Sequence, residues 1–434
     1  MYQSPMEIRD PVHGSIQYSN AEVAVLDTPE YQRLRSIKQL GFSEFSFPGA
    51  THNRYLHSIG VGHLAVLVFD SIFRAYPFTK TAVKLRLRQT FRLAAILHDV
   101  GHGPLSHTTE EVMPPLHELQ VKAYGAEQEK RQADHEDYTI KYVTESSIGQ
   151  TIRDQFPDID PYHVACLIDK NLPAKDDFFC DQGVDFRPLL SQLVSSELDV
   201  DRMDYLERDS YFCGTNYGRI DSEWLIQNMT LYISNDKAYL ALNRRALYSF
   251  DDFLISRHHM HLMVYFHHKS IIYEEMLHRY LTSKDCTFFL PADINEYTAY
   301  NDYKLYEHLA SVDNPWAKRI AFRKPHKVLI EMHNTTDPAR PQRVKEEMEK
   351  RGFEVISASS HIRLSKYHST AEQNIFPIYV VDQYDSWAKP TEIERTTQIF
   401  QQYEGTRVID RLYVAPEHYT NAKRVLEEIR GSIQ

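Results

Sequence analysis

Residues 98–107 read His98-Asp99-Val100-Gly101-His102-Gly103-Pro104-Leu105-Ser106-His107, three histidines and an aspartate in ten positions, with two glycines to bend the backbone between them. These are the parts that metal-assisted phosphate chemistry needs: imidazole and carboxylate to hold a divalent ion, and further imidazoles beside the substrate. The stretch before it, 87–97, places Leu87, Phe91, Ala94 and Ala95 at helical spacing, which predicts a helix with one buried face that His98 continues. A helix that delivers a histidine inward and then breaks at glycine presents ligands. For His98 alone, a core histidine followed by a C-cap glycine explains the pattern equally well.

Three other segments add to it. Residues 47–58, Phe47-Pro48-Gly49-Ala50-Thr51-His52-Asn53-Arg54-Tyr55-Leu56-His57-Ser58, run from a Pro-Gly loop into a helix start. There Arg54 can fork onto a phosphate, with the helix N-terminus adding oriented N–H groups; a surface arginine is the plain alternative. Residues 197–209 put Asp201, Tyr205, Arg208 and Asp209 on one helical face, with Leu190 and Val194 earlier on the same stripe. Apolar residues giving way to carboxylates predict a helix that enters a polar cavity; a solvated, mixed-charge helix surface is the alternative. In Asp134-His135-Glu136-Asp137-Tyr138, His135 can lean toward a phosphate, though a polar helix start explains the run as well. The histidines at 258, 259, 261, 267 and 268 are spread around a helix rather than gathered on it. Arg257, His261 and Tyr265 share a face and are the better candidates for substrate contact.

The first three quarters of the chain read as helices. Thr28-Pro29-Glu30 is a start signal, with Thr28 as N-cap and proline in the first turn, for a helix through Arg35 and Ile37 to Leu40, ended by Gly41. Another begins near His57 and carries Leu64, Leu67 and Ile72; 187–208 and 247–281 are each helical in pattern. Asn235-Asp236 is the turn of a hairpin between 231–234 and 237–240. After the basic stretch bracketed by Pro315 and Pro325, strands at 328–330, 377–381 and 411–414 alternate with helices at 344–351 and 422–429. The fold class expected is mainly α, a helical core with a short β-hairpin over 1–320, followed by a small α+β domain over 321–434.

At 434 residues, 42% hydrophobic and 25% charged, the chain can bury a large core. A net charge of -11 argues against a nonspecific nucleic-acid binder, but a locally basic cavity can still take a polyphosphate. The four cysteines form no Cys-x-x-Cys pair. With no signal-type segment at the start and no run read as long enough to span a bilayer, a cytoplasmic protein without a membrane anchor is the expectation.

Taken in order, these segments resemble the HD-domain phosphohydrolases, and within them the deoxynucleoside triphosphate triphosphohydrolases, including the SAM-and-HD-domain dNTP hydrolases and the bacterial dGTP triphosphohydrolases. The likeness begins at Asp10-Pro11-Val12-His13-Gly14, continues through 27–35 and Ile37-Lys38-Gln39-Leu40-Gly41, takes in the His57, His98-Asp99 and Asp201 segments, and fades after about Leu281. It implies an enzyme in which His57, His98, Asp99 and Asp201 hold one divalent transition metal (Fe, Mn, Zn or Ni), with Mg also serving at the substrate phosphates. It also implies phosphate contacts from Arg54, His102 and Arg202, His107 as general acid, and His135 supporting the phosphate site. At Arg202 the vertebrate members carry lysine. Gln39 and Asp209 would read the sugar 3′-hydroxyl, Leu40 and Tyr265 would crowd the 2′ position, and Tyr205 and Arg257 would line the nucleotide pocket. The reaction implied is attack of water on the α-phosphorus, releasing deoxynucleoside and tripolyphosphate.

The resemblance further implies a homo-oligomer, dimer or tetramer, activated by dGTP or GTP through Asp27, Gln32 and Arg35. A phosphate-binding lysine expected near Met6 is missing, and Arg9 is the nearest cation. An aspartate at a helix start is also favourable for dipole reasons alone. Two other readings share the metal core: another HD phosphohydrolase, acting on nucleoside monophosphates or cyclic nucleotides, and a non-catalytic nucleotide sensor.

Overall fold

The computed structural model describes residues 5–126, 129–334, 337–362, 376–385, 387–397, 399 and 406–430. Its body is helical. Helix Arg54–Ile72, capped by the Asn53 side chain on the Leu56 N–H, packs against Thr81–Leu97 and Val200–Cys213. By length and composition Arg54–Ile72 does qualify to cross a bilayer, against the reading above, but 67% of that window is buried inside the protein. Its Leu67 faces solvent, at 43% exposure, while Leu64 and Ile72 are buried.

A hairpin of Met6–Asp10 and Gly14–Tyr18, in register Ile8↔Ile16, lies beside this body. A second hairpin pairs Met229–Ser234 with Lys237–Asn243; Asn235 and Asp236 both take positive φ at its turn, as a tight two-residue hairpin loop requires. Near the C-terminus, Arg407–Val414 runs antiparallel between Lys327–His333 and Val355–Ile362. Helices Arg340–Lys350 and Tyr419–Ile429 cover that sheet over a separate small core of Val344, Met348, Leu412, Val414, Ala422 and Val425. Strand Tyr379–Val381 does not join it. It pairs in parallel with Lys237–Asn243, through Ala241↔Tyr379, and so belongs to the sheet beside the helical body.

Three long helices expected from periodicity are broken, and each break serves the cavity described below. The helix expected over 28–40 is a turn at Pro29–Gln32 and a tighter one at Arg33–Ser36, after which Ile37 is extended and Lys38 bridges to Asn53. Thr28 caps no N–H; its hydroxyl donates to Val25 O instead. The 187–208 helix is two, Arg187–Val194 and Val200–Cys213, because Asp199 takes the N–H groups of Ser196 and Arg202 and starts the second afresh. The 247–281 helix stops at Met260, passes through a wide π-turn at His261–Tyr265, and resumes at His268–Leu281. Such π segments recur where a side chain must be re-aimed at a site.

Candidate active site

A cavity of about 750 Å³ opens between the helix starts at Arg54 and His135, the 98–107 loop and helix Val200–Cys213. At one end the four residues expected around a metal come together. His57 Nε2 lies 3.0 Å from Asp201 Oδ1 and 3.6 Å from Asp99 Oδ2. His98 Nε2 lies 3.4 Å from Asp99 Oδ1 and 3.5 Å from Asp201 Oδ1. Among the described residues, both imidazole Nε2 atoms are buried without a hydrogen-bond partner, an expensive arrangement unless something electrophilic sits between them. Two imidazole nitrogens and two carboxylates facing one point suit a divalent transition ion. Burial pulls the His57 pKa down, but the Asp201 and Asp204 carboxylates outweigh it and push it up to about 10. Burial works against charge on Asp99 as well, but the Arg54 guanidinium and neighbouring imidazoles hold its carboxyl well below the usual range.

Local chemistry explains how the 98–107 loop reaches this position. A Cβ on Gly101 would fall 2.2 Å from His135 O and 2.3 Å from Thr139 N, so only glycine lets the loop press against helix His135–Glu145. That approach stacks the His102 ring on His135 at 3.8 Å. Leu105 and Ser106 follow with φ of 54° and 61°, a left-handed step that non-glycine residues adopt at a cost. The buried Asp302 carboxylate holds the step in place, accepting Leu105 N–H at 2.8 Å and Lys38 N–H at 2.9 Å. One side chain thereby joins the histidine loop to the Gln39–Leu40 wall.

Beyond the metal end, Arg54 donates from Nε to Ser106 Oγ at 2.9 Å and from Nη1 to Asp99, and among the described residues nothing takes its Nη2. His107, with its side chain 66% exposed at the mouth, and His135 both meet Glu110, at 2.9 and 2.6 Å. Burial, then the Arg54 charge, holds His102 well below the ordinary imidazole value, so its ring is neutral. Burial acts against His135 too, yet Glu110 raises it. Gln39, Leu40, Tyr205, Asp209 and Tyr265 line the remaining wall. Asp209 is held between His52 Nε2 at 2.7 Å and the Tyr265 hydroxyl at 2.8 Å, a clamp that the π-turn makes possible.

Not every expected residue is there. Arg202 and Arg257 do not line the cavity. Both turn to the buried Glu197, at 2.9 and 3.6 Å, because a buried carboxylate demands a cation and these are the ones in reach. Arg208 faces away from the cavity, fully buried against Asp10 and Asp204. Asp27, Gln32 and Arg35 do not line the cavity: Arg35 donates to Gln32 Oε1 at 2.7 Å and covers the Tyr55 ring at 3.5 Å, and Asp27 is exposed. Conversely, sequence reasoning gave no role to Glu110, Asp204, His52 or Asp302. Glu110 stands one turn after His107 and Asp204 one turn after Asp201, and those spacings were the available signal; nothing local points to His52 or Asp302.

Residues 54–209 match the family model of the HD domain, and 220–366 that of the HD associated region. An uncharacterized protein of Bacillus subtilis, YwfO, is 31% identical over 277 residues, covering 62% of this chain and 55% of that protein. The deoxynucleoside triphosphate triphosphohydrolase SAMHD1 of Homo sapiens is 27% identical over 386 residues, 82% of this chain and 59% of that enzyme. The chain thus spans little more than half the length of these relatives. A hypothetical protein from Aquifex aeolicus of known structure superposes with a TM-score of 0.73 at 25% identity, covering 97% of this chain and 99% of its own.

Proposed function

Residues 54–209 are an HD domain, and from that premise we propose that the protein is a metal-dependent hydrolase that cleaves deoxynucleoside triphosphates at the α-phosphorus. The observation that carries this reading is a cavity lined at one end by His98, Asp99 and Asp201, with the buried His57 meeting Asp201 behind them, and along the wall beyond by Gln39, Leu40, Asp209 and Tyr265. The likeness to SAMHD1, named for that activity, supports it.

A divalent ion held by those four residues would neutralise charge on the phosphoryl oxygens and make water a better nucleophile near neutral pH. The chain's own groups then have distinct tasks. Arg54, with Nη2 untaken among the described residues, and the neutral His102 contact phosphate oxygens. His107 keeps Nδ1 on Glu110, so its Nε2 can give a proton to the departing 5′-oxygen as the water oxygen bonds to phosphorus. His135, whose pKa Glu110 raises against the pull of burial, favours positive charge at the phosphate end. Asp209, oriented by His52 and Tyr265, accepts the sugar 3′-hydroxyl, with Gln39 beside it, and Leu40 and Tyr265 leave little room for a 2′-hydroxyl. The products are a deoxynucleoside and tripolyphosphate. Activation by dGTP or GTP at the separate Asp27–Gln32–Arg35 surface, in a homo-oligomer, completes the reading.

Incubation with each of the four dNTPs and a divalent metal, with and without dGTP, tests it by separation of all phosphate-containing products. Tripolyphosphate is expected. Phosphate released from nucleoside monophosphates, with no tripolyphosphate from any dNTP, would favour a different HD phosphohydrolase.

A further inference from the structure

Behind His57, on the side away from the cavity, lies a set of charged side chains to which the proposed reaction gives no task. Asp204 Oδ2 meets His57 Nδ1 at 2.7 Å and accepts from Arg208 Nε at 2.8 Å. Its Oδ1 meets His13 Nε2 at 2.6 Å and accepts from Arg208 Nη2 at 2.9 Å. Arg208 continues to Asp10, Nη1 to Oδ2 at 2.8 Å and Nη2 to Oδ1 at 3.3 Å. Asp10 Oδ1 also accepts the backbone N–H groups of Val12 and His13, at 2.9 and 2.8 Å. Asp10, Asp204 and Arg208 are buried at 2%, 0% and 0% exposure.

Hydrogen-bond counting fixes where the protons are. A carboxylate only accepts, and it has about four lone-pair sites. Arg208 fills two of those on Asp204 and can only donate. The two imidazole nitrogens that meet the remaining sites must therefore carry hydrogens. His57 carries its hydrogen on Nδ1, which turns its Nε2, an atom with no hydrogen-bond partner among the described residues, toward Asp99 and Asp201. His13 is protonated at Nε2 by the same reasoning.

We infer that Asp204 is a positioning residue which, backed by Arg208, Asp10 and His13, holds His57 in the tautomer and ring orientation that offers Nε2 as a metal ligand, and so ties the N-terminal hairpin to the metal end of the cavity. This rests on the reading of His57 as a ligand, not on the choice of substrate. The physical basis is general: a ligating histidine whose second N–H is taken by a carboxylate is fixed in orientation and made more basic.

The full chain loaded with Zn²⁺ and carrying ¹⁵N-histidine tests it. Long-range ¹H–¹⁵N spectra are expected to show His57 with a hydrogen on Nδ1 and a coordinated Nε2. Asp204→Asn is expected to weaken Zn²⁺ and Mn²⁺ binding roughly 10–100-fold. His13→Gln, which keeps a donor, should stay within about threefold of the parent, whereas His13→Phe, which keeps the ring and loses the donor, should weaken binding more than that. Should Asp204→Asn fail to fold, the His13 pair and the parent spectrum decide. A hydrogen on His57 Nε2 in the loaded parent, or a folded Asp204→Asn with unchanged metal affinity, overturns the inference. None of these readouts uses a nucleotide, so failure to hydrolyse dNTPs would sink the proposed function and leave this inference standing.

Discussion

Gly60 lies directly against Asp204: a Cβ at Gly60 would come within 2.0 Å of Asp204 Oδ1 and 2.3 Å of Arg208 Nη2. Gly60 is one turn beyond His57 on the same helix, so the clearance that admits Asp204 comes from the element carrying the ligand it supports. Neither Asp204 nor Arg208 can retreat, since both are fully buried and each holds the other.

Gly60→Ala should therefore destabilise the fold by roughly 1–3 kcal/mol, the range for overpacking a tight interior. It should weaken metal binding as well, because Asp204 must shift away from His57. Chemical denaturation and metal titration read the two effects. Unchanged stability in this variant would mean that the packing around Asp204 is looser than the structure shows.

His98→Ala and Asp99→Ala are each expected to abolish metal retention and hydrolysis together, since each removes one of the converging donors. Elemental analysis after dialysis, beside product assays, checks this. Full turnover in either protein would remove that residue from the metal site.

His107→Ala separates acid catalysis from metal binding. The ring is mostly exposed and touches Glu110 rather than the metal end, so metal content should stay at the parent level. Turnover should fall by about 10²–10⁴, the usual contribution of a positioned general acid. Parent-level turnover would take His107 out of the mechanism.

The Glu110–His135 pair sets a pH window. Burial disfavours the Glu110 charge, but hydrogen bonds from His107 and His135 push it down to about 2 from its ordinary 4.5. Its contribution to folding is complete above 4.5 and is lost as pH falls toward 2. His135, held above its ordinary 6.5 by Glu110 against the pull of burial, contributes fully below 6.5 and loses that contribution as pH rises through its raised value. The pair therefore supports the fold most between about pH 4.5 and 6.5. Glu110→Gln should bring the His135 titration down, followed by NMR, and remove this term from the stability profile. A His135 pKa indifferent to the substitution would break the assignment.

Much of this was legible in the chain. The run from His98 to His107 announced a ligand-bearing loop because histidine, aspartate and glycine at that density have few purely structural uses. Helix starts at Arg54 and His135 were visible from the Pro-Gly loop before the first and the polar run at the second, and the structure caps them with Asn53 and Asp134. Periodicity misled at 28–40, 187–208 and 247–281, since apolar spacing continues across a break when both halves bury the same side. There the deciding groups were distant or easily overlooked: Asp302 taking the N–H of Lys38, Asp199 recapping a second helix, and the π-turn that brings Tyr265 to Asp209.

The sequence by itself determined the kinds of donor available to a metal and a phosphate, and most of the residues that bring them. Tertiary structure alone decided which charges serve the cavity and which serve the fold. Arg54 and Arg202 look equivalent as isolated cations, yet one reaches the cavity while the other is drawn to Glu197. The reason is that a buried carboxylate must be paired, and which cation pairs it depends on distances through space that no local spacing records.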